Sequence, residues 1–309
     1  MNRLQANICL LCVTLCWSME AVLYSCIPNG VPSFATSCVT SLAGSLMLLV
    51  AFYRRTWNEF RSHGRSLLPN CLFLAALSAG YNTMYFYGMK SFDVASGAFT
   101  FCMTVVVLPV VLLSIRRRVP LETWLSVMLV LMGICLALGP SLKGNQLLGL
   151  AFMGGGCLLR AVLIVVLADL AKKYDPLSIA IFLEFFAGLL SLGGWFWEDP
   201  RLIFGLPASR TLIATWSIYS YFIVAIAHAL NFFAMRRVTA TNATVVYSME
   251  IVFTIIWGAL LPADVIEQVK LTPSILLGAV LVLVGGLAEV LDFSGRRHRQ
   301  EQQSMEHST

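Results

Sequence analysis

Ten apolar stretches constrain this chain more than any other feature, because each is about long enough to cross a lipid bilayer. A transmembrane helix needs about 20 mostly apolar residues. The joining segments are short and leave no room for a soluble domain. The sequence therefore predicts an all-α integral membrane protein with ten transmembrane helices. These are expected over residues 6–25, 33–53, 68–89, 94–115, 121–139, 147–169, 177–197, 211–235, 240–261 and 273–292.

The composition excludes most soluble functions. The chain is 58% hydrophobic and 12% charged, against about 25% charged residues in a typical soluble domain. Its net charge of +5 is dispersed among short loops and forms no continuous patch for nucleic acid. The sequence contains no glycine-rich dinucleotide loop, phosphate loop or His-Glu-x-x-His motif. We therefore expect no catalytic residues, no cofactor, no nucleic-acid partner and no enzyme activity.

The cysteines do not indicate a metal site. Cys9, Cys12 and Cys16 share one face of the first predicted helix, and a soft-metal site there is one reading. No histidine accompanies them, and cysteines in apolar surroundings usually act as small packing residues. We therefore expect no metal site.

The distribution of basic residues predicts the orientation in the membrane. With the N-terminus placed in the cytoplasm, fifteen of the 21 Lys and Arg residues fall on the inside and five on the outside, while Arg160 lies within a span. Such a bias is typical of the positive-inside rule. Both termini are therefore predicted to be cytoplasmic, with residues 294–309 as a disordered tail. The short loops favour the cytoplasmic (inner) membrane of a cell.

The chain also repeats itself. Residues 17–23 align with 157–163, and residues 85–90 align with 231–236, at offsets near 140–146. The alignment predicts a first five-helix repeat in residues 1–140 and a second in residues 141–293. Because five is an odd number, the second repeat must enter the membrane upside down. Inverted repeats are common in secondary transporters, which bind the substrate near the midplane between the halves.

These repeats carry a family resemblance. The segments YFYGM at 85–89 and SMEIVF at 248–253 are its most specific parts. Across residues 6–292 the chain resembles the ten-helix EamA-like branch of the drug/metabolite transporter superfamily. It departs from that pattern at Ile251, where the family has proline, and at residues 17–18, where Trp-Ser replaces Trp-Gly. The resemblance implies a carrier that alternates between inward-open and outward-open states and often exports amino acids or other metabolites.

Four charged residues are predicted to lie deep in the membrane, where a charge costs at least about 2.5–3.5 kcal/mol. They are Glu20, Arg160, Glu184 and Glu250. Glu20 and Arg160 occupy equivalent positions in the two repeats, so we expect both to flank a central cavity. They could hold the amine and the carboxylate of a zwitterion. Glu20 could instead carry a coupling proton, or the two residues could form a structural ion pair.

The remaining candidates are less specific. Glu184 could pair with Arg160 or face the cavity, and Glu250 matches the family's glutamate and could cap or hydrogen-bond a neighbouring helix. His228 is either a packing residue or a proton relay, since histidine titrates near neutral pH. Trp17 and Tyr81 are expected to face the cavity, where an aromatic ring could cover a substrate or a cation.

Together these features predict a secondary active transporter of small organic solutes that exports amino acids or related metabolites. The expected partners are a small-molecule solute and the lipid bilayer, with proton coupling as a candidate energy source and a monomer or homodimer as the assembly. One alternative is an integral-membrane enzyme or flippase-like factor that handles lipid headgroups, which would need catalytic groups gathered at one interface. The other is a membrane scaffold without transport.

Overall fold

The structure is a computed structural model that describes residues 3–28, 30–89, 91, 102–117, 119, 121–138, 144–199, 201, 209–261 and 272–290. All secondary structure in these residues is helical. The helices are α1 (Arg3–Ser25), α2 (Ser33–Met89), α3 (Thr104–Ser114), α4 (Leu121–Leu138), α5 (Gly144–Leu170), α6 (Pro176–Glu198), α7 (Arg210–Met235), α8 (Ala240–Leu260) and α9 (Pro273–Val290).

Six of these helices contain a stretch long and apolar enough to cross a bilayer, so this is a multi-pass membrane protein. They are α1, α2, α5, α6, α7 and α8, whereas the apolar parts of α3, α4 and α9 are shorter. The first part of the predicted span 94–115 and the predicted tail 294–309 lie outside the described residues. The number of ten spans and the orientation of the termini therefore remain predictions.

Helix α2 differs from the sequence expectation. It consists of two helical parts that meet at a kink at Phe52, where φ is −124° and ψ is 24°, so the first part ends where the predicted span 33–53 ends. The second part is helical through residues 54–67, which were predicted to form a loop, and continues into the predicted span 68–89. The polar residues of 54–67 do not interrupt it, because Arg, Glu and Leu are good helix formers even in water. A contact at 3.3 Å between Glu59 and His63, one turn apart, adds local support.

Two helices near the centre of the bundle are irregular. Residues Tyr219–Ala227 of α7 form a π-helix, which rotates the following turns relative to an ordinary α-helix. Helix α8 is interrupted at Ser248 and Met249, so that Glu250 begins its second half. Irregular backbone at membrane depth is tolerated where it is buried in protein or lines a cavity.

Small residues allow close helix packing around this centre. A Cβ atom on Gly44 of α2 would lie 2.5 Å from Cγ1 of Val224 in the π-helix. Likewise, a Cβ atom on Gly188 of α6 would lie 2.6 Å from Cγ of Leu42. Glycine is therefore required at both positions if α2 is to approach α6 and α7 this closely.

Candidate functional site

The deep polar residues meet in the interior of the bundle, where side chains of α1, α2, α5, α6, α7 and α8 enclose two adjoining cavities of about 20 and 30 Å³. Each has room for about one or two water molecules. Five residues line both cavities, and these are Trp17, Tyr81, Arg160, Glu184 and His228. Glu20 lines the first cavity only. Six of the seven candidates from the sequence thus surround one space, to which both halves of the chain contribute.

Glu20 is held by a tyrosine from the opposite half of the chain. The hydroxyl of Tyr219 donates a hydrogen bond of 2.5 Å to Oε1 of Glu20. Tyr219 is the first residue of the π-helix in α7, and its ring also lies 6.3 Å from that of Tyr24. Tyr24 in turn stacks on Phe86 with ring centres 3.9 Å apart. An aromatic layer therefore covers one side of the Glu20 carboxylate.

Glu184 lies between α2 and α7 and is only 1% exposed. Its Oε2 accepts a hydrogen bond of 2.8 Å from the hydroxyl of Ser41. Its Oε1 lies 2.6 Å from Nδ1 of His228, although this contact lacks the alignment of a hydrogen bond. The His228 ring stacks on Phe232 and meets the edge of Trp17, with ring centres 6.1 and 5.7 Å away. The carboxylate and imidazole thus form a close, buried pair beside the cavity.

Arg160 is 8% exposed and is enclosed by aromatic rings. Its guanidinium carbon lies 5.3 Å from the ring centre of Trp17 and 5.8 Å from that of Tyr247. Its Nη2 lies 3.6 Å from Oε2 of Glu250. Arg160 thus pairs with Glu250, a partner that the sequence did not indicate, while its expected pairing with Glu20 or Glu184 stays a prediction. The break in α8 places Glu250 at the start of the second half of that helix, within reach of the long side chain of Arg160.

The departure from the family pattern at Ser18 has a structural role. The Ser18 hydroxyl accepts a hydrogen bond of 3.0 Å from the indole Nε1 of Trp257. Its backbone oxygen accepts another, of 3.3 Å, from the hydroxyl of Thr254. These two hydrogen bonds join α1 to the second half of α8. They fix the rotation of α1, so that Trp17 and Glu20 face the cavity.

Sequence reasoning missed two residues that contact the candidate carboxylates. Tyr219 lies at the start of the π-helix, and its pairing with Glu20 depends on a change of helical register that a regular period does not reveal. Ser41 is one of many small polar residues in the spans and carries no distinguishing pattern.

The charges around the cavity are unequal. The carboxyl groups of Glu20, Glu184 and Glu250 and the imidazole of His228 are arranged around one guanidinium group, that of Arg160. In the part of the chain that the structure describes, no group of three or more His, Cys, Asp or Glu residues could hold a metal ion. The arrangement suits a ligand or a proton that brings positive charge into the site.

A second group of polar contacts ties the bundle together at the end predicted to be cytoplasmic. Nε of Arg55 donates to Oδ1 of Asp175 at 2.9 Å, and Asp175 also caps α6. Arg236 donates to the backbone oxygens of Ala171 and Tyr174. These contacts anchor the turn between α5 and α6 to α2 and α7.

An arginine outside the spans adds to this group. Nη2 of Arg117 lies 2.6 Å from Oδ2 of Asp169. Its hydrogen bond to this carboxylate raises the pKa of Arg117 above its usual value. The contact ties the segment after α3 to the end of α5.

Comparison with known proteins settles the family. A family model for the EamA-like transporter family matches the chain twice, over residues 4–139 and 147–288. The chain belongs to the EamA-like transporter family. This confirms the resemblance to the drug/metabolite transporter superfamily, whose EamA members are transporters rather than enzymes.

One solved crystal structure, described only as that of a protein, shares the fold. Its TM-score is 0.73 with 17% sequence identity, and the match covers 95% of this chain and 98% of the other. At this identity the likeness concerns the fold alone. A search of curated proteins found no significant match.

Proposed function

We propose that this EamA-like protein is a secondary active transporter that moves a small organic solute through the central cavity by alternating access. The observation that carries the proposal is the joint lining of that cavity by both family-matching halves. Trp17, Glu20 and Tyr81 come from the first half, and Arg160, Glu184 and His228 come from the second. We take residues 1–140 and 141–293 as two inverted five-helix repeats, whose relative movement would open the site to either side in turn.

The proposed substrates are amino acids or related metabolites that carry an amine, and the proposed direction is efflux. Two buried carboxylates in one cavity repel each other and lose hydration, and a bound ammonium group relieves both costs. Glu20 and Glu184 would receive the amine. A carboxylate on the substrate would bind the edge of Arg160, whose faces are covered by Trp17 and Tyr247.

Transport requires this site to widen, because cavities of about 20 and 30 Å³ hold only water-sized molecules. Opening toward the end with the arginine contacts would require Arg55 to leave Asp175 and Arg236 to leave the turn between α5 and α6. These charged contacts are exposed enough to exchange for water at small cost. These contacts would therefore break and form again in each transport cycle.

Proton coupling is the proposed energy source. Glu184 and His228 form a carboxylate–imidazole contact that borders the cavity, and intramembrane Glu and His side chains form proton relays in pumps and transporters. A proton bound there would alter the charge that the substrate amine meets. Proton and amine would then compete for the site, which is the simplest way for a carrier to exchange them.

The alternative functions receive less support from the geometry. A headgroup-handling enzyme or flippase would gather its polar groups at one membrane interface, whereas the described charged cluster lies among six helices in the interior. A scaffold without transport has no need for a charged cavity, since an apolar core is more stable than buried ion pairs.

The proposal is tested by counterflow in proteoliposomes. Purified protein would be reconstituted and loaded in turn with unlabelled amino acids, organic amines and organic acids, with and without an imposed pH gradient. The expected result is uptake of a labelled solute against its gradient for at least one amine-bearing compound. Exchange of organic acids alone would contradict the proposed substrate class, and no exchange by folded protein across the panel would contradict the carrier.

A further inference from the structure

A third cavity, separate from the two in the interior, lies on the outer side of the bundle where α2 bends. It has a volume of about 230 Å³ and is lined by Leu49, Tyr53, Thr56, Trp57, Phe60 and Phe182. Tyr53, Thr56, Trp57 and Phe60 follow the kink at Phe52 and lie on one face of α2 by their helical spacing. Leu49 precedes the kink, and Phe182 comes from α6. No polar surface is exposed in it. It exceeds the roughly 150 Å³ of an apolar cavity that holds benzene, so it can accommodate part of a hydrocarbon chain.

The cavity opens on the surface near residue 53, where the sequence predicts the end of a span and hence the membrane interface. Tyr53 and Trp57 are 55% and 40% exposed, while Thr56 behind them is 2% exposed. The predicted span 33–53 ends within the cavity lining, and the polar segment 54–67 follows. Tyr and Trp are enriched at this depth because their rings tolerate both hydrocarbon and water. A chain entering the cavity would therefore come from the lipid side.

A stripe of arginines borders the same opening. Arg54, Arg61 and Arg65 recur at spacings of seven and four residues, which places them on one face of α2 next to Trp57. The guanidinium carbon of Arg61 lies 5.1 Å from the ring centre of Trp57. All three are exposed, and among the described residues none of them has an ion-pair partner. Arg55, on another face, is instead engaged by Asp175.

We propose that this cavity is a binding site for an anionic phospholipid, with part of one acyl chain in the aromatic cavity and the phosphate at Arg54 and Arg61. The apolar cavity and the arginines are neighbours on α2, as a phospholipid requires, since its acyl chain would lie in the membrane and its phosphate at the membrane interface. Basic residues just outside a transmembrane helix attract anionic lipids of the cytoplasmic leaflet, which is the side predicted for this segment. The bound lipid would brace α2 at its bend against α6.

The test is native mass spectrometry of the full-length protein with phosphatidylglycerol, phosphatidylcholine or glycerol 3-phosphate. Wild-type protein is expected to retain one phosphatidylglycerol, with an affinity about 30-fold above that for phosphatidylcholine. The double variant Arg54→Gln/Arg61→Gln should lose that preference. Its residues are exposed, so its fold should persist. Arg237→Gln, which removes an exposed arginine from the same predicted side, should retain the preference.

A second variant tests the acyl chain separately. Leu49→Trp adds a ring to the cavity and should reduce retention of both phospholipids, while Arg54 and Arg61 remain. Unchanged retention in Leu49→Trp would overturn the placement of the chain. Equal binding of phosphatidylcholine, or no effect of the double arginine variant, would overturn the anionic headgroup. Competition by glycerol 3-phosphate at the same concentration as phosphatidylglycerol would identify a phosphate site and overturn the lipid site.

Discussion

Nδ1 of His228 lies 2.6 Å from Oε1 of Glu184 in the interior of the bundle, although the two residues are 44 positions apart in the sequence. The contact joins α6 to α7 beside a cavity that both halves of the chain line. It brings an imidazole and a carboxyl group together in the interior, where Glu184 is only 1% exposed. The proposal that the protein couples transport to protons depends on this pair.

Neutralising the carboxylate of this pair should uncouple transport from pH. Glu184→Gln keeps the size of the side chain and can still accept the hydrogen bond of Ser41, but it loses the charge. We expect exchange to fall by about tenfold or more, as for loss of a charged hydrogen bond, and the remaining exchange to be insensitive to pH. Counterflow measured from pH 5.5 to 8.5 tests this. Glu198→Gln, at the exposed end of the same helix, should behave like wild type.

Removing the donor to Glu20 should impair the site without unfolding the protein. Tyr219→Phe deletes the hydroxyl that lies 2.5 Å from Oε1 of Glu20 and retains the ring that packs on Tyr24. A hydrogen bond to a charged group contributes about 1.5–3 kcal/mol, so solute affinity should change by about tenfold or more. Binding or exchange assays would measure it. Tyr221→Phe, on an exposed position two residues later, is the matched control, and equal effects of both variants would refute the role of Tyr219.

The close approach of α2 and α7 should be sensitive to one methyl group. A Cβ on Gly44 would meet Cγ1 of Val224 at 2.5 Å, so Gly44→Ala forces the π-helix to move. Overpacking of this kind lowers the free energy of unfolding by about 1–3 kcal/mol. A lower midpoint of thermal unfolding in detergent is expected, with recovery in Gly44→Ala/Val224→Ala. Gly193→Ala, which has open space around the added methyl, should leave the midpoint unchanged.

The ion pair of Arg160 with Glu250 should show strong energetic coupling. Each partner is less than one-tenth exposed, and removing one partner of a buried pair typically costs about 3–5 kcal/mol because the other charge is left uncompensated. Arg160→Met and Glu250→Gln should each destabilise the protein more than their combination does. A double-mutant cycle of unfolding midpoints tests this. Additive effects would show that the two charges act independently.

Much of the architecture could be predicted from the sequence because the membrane requires apolar segments of a defined length. The predicted spans over 6–25, 147–169 and 177–197 agree with α1, α5 and α6 within a few residues. The end of a helix is less predictable when polar residues can continue it. Residues 54–67 show this, since their sequence indicates the edge of the membrane but their backbone remains helical.

The sequence indicates which residues belong to the candidate site, but not which of them contact each other. The cost of burying charge identifies Glu20, Arg160, Glu184 and Glu250 without a structure. Which of them pair depends on the π-helix of α7 and the turn at Ser248 and Met249, and both alter the helical register. Repeat alignment suggested that Glu20 and Arg160 belong to one site, and they do line one cavity. Their partners, Tyr219 and Glu250, are set by those irregularities.

The most direct test of a carrier with its site at this cavity is counterflow by Glu20→Gln beside wild type and Glu198→Gln. The variant retains the hydrogen bond capacity of Glu20 toward Tyr219 but removes the charge that faces the cavity. We predict amine-dependent exchange by wild type and Glu198→Gln, and loss of exchange by Glu20→Gln at an unchanged unfolding midpoint. Normal exchange by folded Glu20→Gln would contradict the assignment of this cavity as the transport site.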